Sequence, residues 1–208
     1  MISETAVSRR DLLKRLSMAG AAIFALPEFD RVLAFQRDVL KPGAAAAGVL
    51  SAADAATLAA VCARLIPTDG SGPGAAEAGA AVYIDRALGG WLASSRETYA
   101  VGLVALDEAA RARSGKRFVD LTAAEQDAVL TAIEQTPFFA LVRAHTIQGT
   151  FCDPAYGGNV NFVGWDLIGY PGIRLNVTAA DQRMAAPAKP IRRSAYDYAM
   201  FAAGAHAH

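Results

Sequence analysis

Apolar residues between positions 50 and 150 recur every three or four residues, which is the spacing of one face of an α-helix. No segment alternates apolar and polar residues over the length of a β-strand, so the pattern predicts no sheet. Because 47 of the 208 residues are alanine, the buried helix faces are expected to be built largely from small side chains. The sequence therefore predicts an all-α fold, a small bundle of about five short helices with a long irregular C-terminal segment.

Capping residues indicate where these helices begin. Ser51 is the expected N-cap of the first helix, Thr122 and Glu125 form a capping box for the fourth, and Pro137 suits the first position of the fifth. The expected helices span about residues 51–66, 75–88, 94–114, 122–135 and 137–150.

The first 34 residues are similar to an export signal of the twin-arginine type. Arg9 and Arg10 precede an apolar run from Leu16 to Leu26, and a small-residue cleavage option follows at Ala34. That run is too short to cross a bilayer, which takes about 20 apolar residues. The alternative is an amphipathic helix capped by Ser8.

The remaining chain divides by composition. Residues 35–49 are expected to be a linker, residues 50–176 a helical domain, and residues 177–208 a C-terminal extension. Within the domain, residues 151–176 lack a clear period and are rich in glycine and aromatic residues. A loop of that length in a compact domain is usually functional, and its aromatic content argues against disorder.

Charge and motif content exclude several functional classes. The 20 basic and 20 acidic residues cancel, so nucleic acid is not expected as a partner. Cys62 and Cys152 are too few for a four-thiolate zinc site or an iron–sulfur cluster. The chain also lacks the motifs for dinucleotide binding, covalent haem attachment and common hydrolases. An export signal without a cofactor motif suggests that the chain escorts a subunit that has one.

Three titratable residues are interpreted singly. Cys62 and His145 lie on apolar helix faces, where they are expected to be core residues, with His145 hydrogen-bonded. Cys152 begins the irregular segment, and we expect it to be either free or bridged to a partner.

The sequence Asp153-Pro-Ala-Tyr-Gly-Gly-Asn159 predicts a rigid turn. Aspartate favours an Asx-turn, proline fixes φ, and glycine and asparagine tolerate positive φ. Such a turn is expected to hold Tyr156 and Trp165 outward as anchors for a partner, whereas the alternative is a loop that only covers its own helices. The predicted partner interface consists of Phe151, Asp153, Pro154, Tyr156, Gly157, Gly158, Asn159, Trp165, Tyr170 and Arg174.

A set of aromatic, glycine and polar residues between positions 138 and 172 has a characteristic order. Its members are Phe138, Phe139, Thr146, Gly149, Phe151, Asp153, Pro154, Tyr156, Gly157, Gly158, Asn159, Gly164, Trp165, Gly169, Tyr170, Pro171 and Gly172. This order resembles the signature of the gluconate 2-dehydrogenase subunit 3 family, and the resemblance extends over about residues 50–174. The twin-arginine leader agrees with it.

The resemblance implies a small, noncatalytic gamma subunit of a periplasmic sugar or polyol dehydrogenase. Its implied partner is a larger, GMC-type catalytic subunit that binds FAD, commonly joined by a third subunit, a cytochrome with c-type haem. No cofactor and no catalytic residue are then expected on this chain. Gamma subunits often bear the only export signal, so this chain is expected to carry the flavoprotein to the periplasm and stabilise it. Association with the inner membrane through the complex is compatible with this interpretation.

Two alternatives belong to other functional classes. A free-standing periplasmic carbohydrate-binding domain would stack sugar rings on Trp165, Tyr156 and Tyr170. A small enzyme would need convergent titratable groups, for which Asp153 and Asp166 are the nearby acidic pair.

Overall fold

The computed structural model describes residues 48–183 and 188–202, which all fall within one compact unit. The predicted export signal with Arg9 and Arg10, and the predicted linker up to residue 47, lie outside the described residues.

Five helices of nine or more residues form the body of the domain. They are α1 (Ala52–Leu65), α2 (Ala80–Leu88), α3 (Arg96–Ser114), α4 (Ala123–Ala132) and α5 (Pro137–Phe151). Three short helices follow, which are α6 (Val163–Leu167), α7 (Ala179–Gln182) and α8 (Ala199–Ala202). The described residues contain no strand and only one isolated bridge, between Asp69 and Gly72. The predicted all-α fold is confirmed.

The predicted caps are present. The Ser51 hydroxyl accepts a hydrogen bond from the Asp54 backbone N–H at 3.1 Å, and Thr122 and Glu125 form a reciprocal capping box. Pro137 occupies the first position of α5, behind a Thr136 side chain that caps the helix. These groups satisfy backbone donors that a helix leaves unpaired in its first turn.

The predicted start of the second helix, at Ala75, is wrong by five residues. Residues 75–79 form turns, and the backbone N–H of Ala75 bonds back to the Ile66 carbonyl at 2.9 Å. Gly79, with φ 72°, is the N-cap of α2. The left-handed conformation of this glycine separates the turns from the helix.

The core lies where α1, α2, α3 and α5 meet. Its largest fully buried side chains include Leu58, Ile84, Leu88, Tyr99, Leu103, Leu106, Phe118 and Val142. Helices α2 and α5 approach closely because Gly149 has no side chain: a Cβ there would lie 2.9 Å from the Ala80 Cα. This contact fixes the end of α5, from which the irregular segment departs. Within the described part of the chain, none of the helices is sufficiently long and apolar to cross a membrane.

Candidate partner-binding site

The Asp153–Asn159 turn, which we call the motif loop, follows directly from the end of α5. One Asp153 carboxylate oxygen accepts the backbone N–H of Ala155 at 2.9 Å, which is the expected Asx-turn. Residues Pro154–Tyr156 form a 3₁₀ turn, and Gly157 ends it with φ 90°. The predicted turn conformation is confirmed.

Asn159 ties the motif loop to the helices on both sides. It is fully buried, with φ 46°, and its backbone N–H donates to the Gly149 carbonyl at 2.8 Å. Its side-chain amide donates to the Cys152 carbonyl at 2.8 Å and accepts the Gly164 N–H at 2.8 Å. Gly164 must be glycine here because a Cβ would overlap the Thr150 carbonyl oxygen. Asn159 and the neighbouring Gly158 are both buried in this chain, so these two predicted interface residues are not exposed to a partner.

The expectation that Trp165 points outward is wrong. Its side chain is 5% exposed, and its indole N–H donates to the Phe151 carbonyl at 3.0 Å. The ring packs against Phe162 and Tyr170, at centroid distances of 5.2 Å and 4.9 Å. Helix α6 turns the indole onto the end of α5, where it pairs with an otherwise unbonded helix carbonyl. At 5% exposure, Trp165 offers little ring surface on which a sugar could stack.

Tyr156 is partly buried between two aromatic rings. Its ring lies edge-on to Trp91 at 5.9 Å and to Tyr196 at 6.1 Å. The hydroxyl oxygens of Tyr156 and Tyr196 are 3.0 Å apart, and burial is the main cause that raises the pKa of Tyr156 well above its usual range. The Tyr156 ring thus packs within this chain and does not project freely from the motif loop.

Tyr170 and Arg174, two other predicted interface residues, are less buried than Trp165. Tyr170 is 40% exposed, whereas Arg174 is partly buried and pairs with Asp181 at 3.0 Å. Phe151, Asp153 and Pro154 are also partly buried.

Residues 188–202, which we call the strap, lie over the motif loop. Asp153 accepts the Ser194 hydroxyl at 2.6 Å and the Ala195 backbone N–H at 2.7 Å. The same carboxylate thereby bonds its own turn and the strap. Ser194 and Asp197 also form a capping box within the strap.

The composition of residues 177–208 predicts only a C-terminal extension, with no site residue in it. The Ser194-x-x-Asp197 spacing is a capping signal that the sequence does contain.

A cavity of about 640 Å³ lies between the motif loop and the strap. Its walls are mostly aromatic and aliphatic, formed by Phe151, Tyr156, Trp165, Ile168, Tyr170, Ile173, Tyr196 and Phe201, with Asp153 and Ala195. Ile168, Tyr170 and Phe201 are 59%, 40% and 47% exposed. An open, apolar recess with exposed aromatic residues suits contact with protein side chains.

The two acidic residues of the enzyme alternative are both engaged by the strap. Asp153 accepts the bonds described above, and Asp166 forms an ion pair with Arg192 at 2.6 Å. Within the described residues, no group of three or more His, Cys, Asp or Glu side chains is placed to hold a metal ion.

The predicted core positions of Cys62 and His145 are confirmed. Cys62 is 1% exposed, with its sulfur 3.4 Å from the Thr146 hydroxyl, and burial raises its pKa to about 11. His145 stacks on Tyr99 and bonds its hydroxyl through Nδ1 at 3.0 Å, and burial lowers the pKa of the imidazole. Cys152 is partly buried and free in this chain. Burial also raises the pKa of Cys152 to about 11, which makes its thiol a poor nucleophile. A bridge from Cys152 to a partner stays a prediction.

Comparison with known proteins gives one match. The family model described as gluconate 2-dehydrogenase subunit 3 matches residues 52–172. The matched span contains helices α1 to α6 and the motif loop, and it ends before the strap. No match was found among curated proteins or among solved structures.

Proposed function

Because the chain belongs to the gluconate 2-dehydrogenase subunit 3 family, we propose that it is the noncatalytic small subunit of a periplasmic FAD-dependent sugar or polyol dehydrogenase. The family is one of subunits of a multi-subunit dehydrogenase, so a dehydrogenase partner follows from membership. In the proposal, a GMC-type flavoprotein binds FAD and oxidises the substrate, and a c-type cytochrome with haem is a further partner. The observation that carries the proposal is the match across helices α1 to α6 and the motif loop.

The surface around the cavity is the proposed docking surface for the flavoprotein. Outside the strap, two side chains of the cavity wall are exposed there, namely Ile168 and Tyr170. Aromatic residues are enriched in protein interfaces, and those near the centre contribute most of the binding energy. Trp165 and Asn159, which are buried, would support this surface from behind.

The first 34 residues would direct the assembled pair to the twin-arginine export route. In this proposal the flavoprotein folds around FAD in the cytoplasm, binds this chain, and crosses the membrane with it. The small subunit then remains bound in the periplasm and stabilises the complex.

The export proposal is tested by replacing Arg9 and Arg10 with lysine in the full chain. We expect the variant chain and the dehydrogenase activity, assayed by dye reduction with sugars and polyols, to be retained in the cytoplasm. The matched control is the variant Arg31→Lys/Arg37→Lys, which makes the same chemical change outside the twin-arginine pair. Activity that still reaches the periplasm at the wild-type level would rule out the escort role.

A further inference from the structure

We propose that the strap is a displaceable cover, which in the free chain occupies the surface that the dehydrogenase partner takes in the complex. The identity of the partner rests on the function proposed above, whereas the opening of the strap rests on the contacts of this chain alone.

The strap is held to the motif loop mainly through hydrogen bonds at its middle. Asp153 accepts the Ser194 hydroxyl and the Ala195 N–H, and the hydroxyl of Tyr196 meets that of Tyr156. Each of these bonds can be exchanged for an equivalent bond to water or to another chain. Because such bonds re-form with water, opening the strap costs less than withdrawing apolar surface from a core.

Further strap contacts lie along residues 166–174, including a hydrogen bond from the Arg174 guanidinium to the Lys189 carbonyl at 3.3 Å. Ile191 donates its N–H to the Pro171 carbonyl at 2.8 Å, and the Tyr198 hydroxyl donates to the Ile173 carbonyl at 3.1 Å. The Arg192–Asp166 ion pair joins an arginine side chain that is 60% exposed, and exposed pairs contribute little to stability. The strap therefore follows one face of the irregular segment without entering the helical core.

The packing beneath the strap also indicates a removable element. The recess of about 640 Å³ between strap and motif loop is open to solvent, so the strap does not close over the apolar wall formed by the irregular segment. The strap's Met200 and Phe201 are 65% and 47% exposed. An element that belonged to the core would bury these side chains.

The family match supports the same division. The matched residues end at position 172, so they include Asp153 and Tyr156 but not the strap that covers them. The motif loop thus lies within the residues that match the family, whereas the strap that covers it lies outside them.

The hydrogen bonds of the strap indicate which chemical groups a partner segment would need in order to take its place. When the strap opens, the Asp153 carboxylate keeps only the bond from Ala155, and the Tyr156 hydroxyl loses its partner. A replacing segment would supply a hydroxyl and a backbone N–H to Asp153, and an aromatic side chain to the cavity. Ser194, Ala195 and Tyr196 supply these groups within the free chain.

Hydrogen–deuterium exchange on the free full-length chain tests the opening. We expect amides of the strap, such as Ile191 and Ala195, to exchange through local opening, at least about tenfold faster than those of α5. Ser194→Ala should raise exchange in the strap by about a further tenfold, since a hydrogen bond to a charged group is lost. The exchange of α5 and the thermal midpoint should change little.

Ser51→Ala is the matched control. Ser51 makes the same kind of cap at the start of α1, where its hydroxyl donates to the Asp54 carboxylate at 2.6 Å and accepts the Asp54 backbone N–H at 3.1 Å, far from the strap in the sequence. This variant should leave exchange in the strap at the wild-type rate. Strap amides that exchange only as slowly as α5, or an unchanged rate in Ser194→Ala, would overturn the proposal.

Binding to the flavoprotein that co-purifies with the tagged chain tests the competition. In this proposal, only chains with an open strap can bind, so the apparent affinity falls in proportion to the fraction of chains that are open. Ser194→Ala raises that fraction and should therefore bind the flavoprotein up to about tenfold more tightly than wild type. Weaker or equal binding would show that the strap is part of the interface and would refute the competition. If no flavoprotein co-purifies, the proposed function fails, and the exchange experiment alone decides whether the strap opens.

Discussion

Asn159 shows how much of the site depends on a single buried amide. Its side chain and backbone bond three different parts of the chain, at Gly149, Cys152 and Gly164. Its φ of 46° is in the left-handed region, which asparagine tolerates better than most residues. The resemblance to the family rests partly on this residue, and its role is to hold the motif loop in shape.

We predict that Asn159→Ala lowers the free energy of unfolding by about 2–4 kcal/mol, because it leaves a buried carbonyl and a buried N–H unpaired. Urea denaturation measures the change. Asn161→Ala is the control, since Asn161 also has positive φ, at 54°, but is exposed. Equal losses in the two variants would mean that backbone strain, and not the amide, explains the effect.

Ile168 gives a direct test of the docking surface at the residue scale. It lines the cavity and is 59% exposed, so Ile168→Ala should leave the stability of the free chain nearly unchanged. A central interface residue costs about 2 kcal/mol or more when truncated, so binding to the flavoprotein should weaken roughly thirtyfold. Ile147→Ala, on the exposed face of α5, makes the same change away from the cavity lining. Pull-down assays in which both variants bind equally well would exclude Ile168 from the interface.

At the scale of elements, the crossing of α2 and α5 is set by a missing side chain. A Cβ on Gly149 would lie 2.8 Å from the Tyr83 ring and 2.9 Å from the Ala80 Cα. Backbone atoms cannot move aside as a flexible side chain would, so the helices would have to separate.

Gly149→Ala should therefore destabilise the chain by about 1–3 kcal/mol from overpacking, although alanine is about 1 kcal/mol better than glycine in a helix. Gly70→Ala is the comparison, because a Cβ at Gly70 meets no atom within 4 Å. Thermal unfolding of the two variants measures the difference. A stabilising effect of Gly149→Ala would contradict the close approach of the two helices.

The elements differ in how far the sequence determines them. The starts of α1, α4 and α5 could be predicted because Ser51, Thr122 and Pro137 act locally on the first helical turn. The start of α2 could not, since the alanine-rich stretch before Gly79 has a high helix propensity. Its turns depend instead on a bond from Ala75 to Ile66.

The candidate site was predicted less completely than the helices. The turn at Asp153 follows from local chemistry and was found. The burial of Trp165 depends on the carbonyl of Phe151, and the strap depends on a bond from Ser194 to Asp153 across 41 positions. Contacts over such separations are absent from local sequence patterns, which is why an outward Trp165 was expected and the strap was missed.

At the scale of the whole molecule, the family match and the exposed apolar residues both favour an accessory subunit. The helical domain and motif loop match the family, and the exposed apolar residues Ile168, Tyr170 and Phe201 lie around one cavity. The net charge is zero, and the wall of this cavity is mostly apolar, so docking there would depend on apolar contact and hydrogen bonds.

The measurement that tests the proposed function most directly is purification of the tagged full-length chain from the periplasm of its own cells. We predict that a larger subunit co-purifies in a fixed ratio, that the complex has a flavin absorption spectrum, and that it reduces a dye when a sugar or polyol is supplied. A chain recovered alone, without flavin or dye-reducing activity, would contradict the assignment as a dehydrogenase subunit.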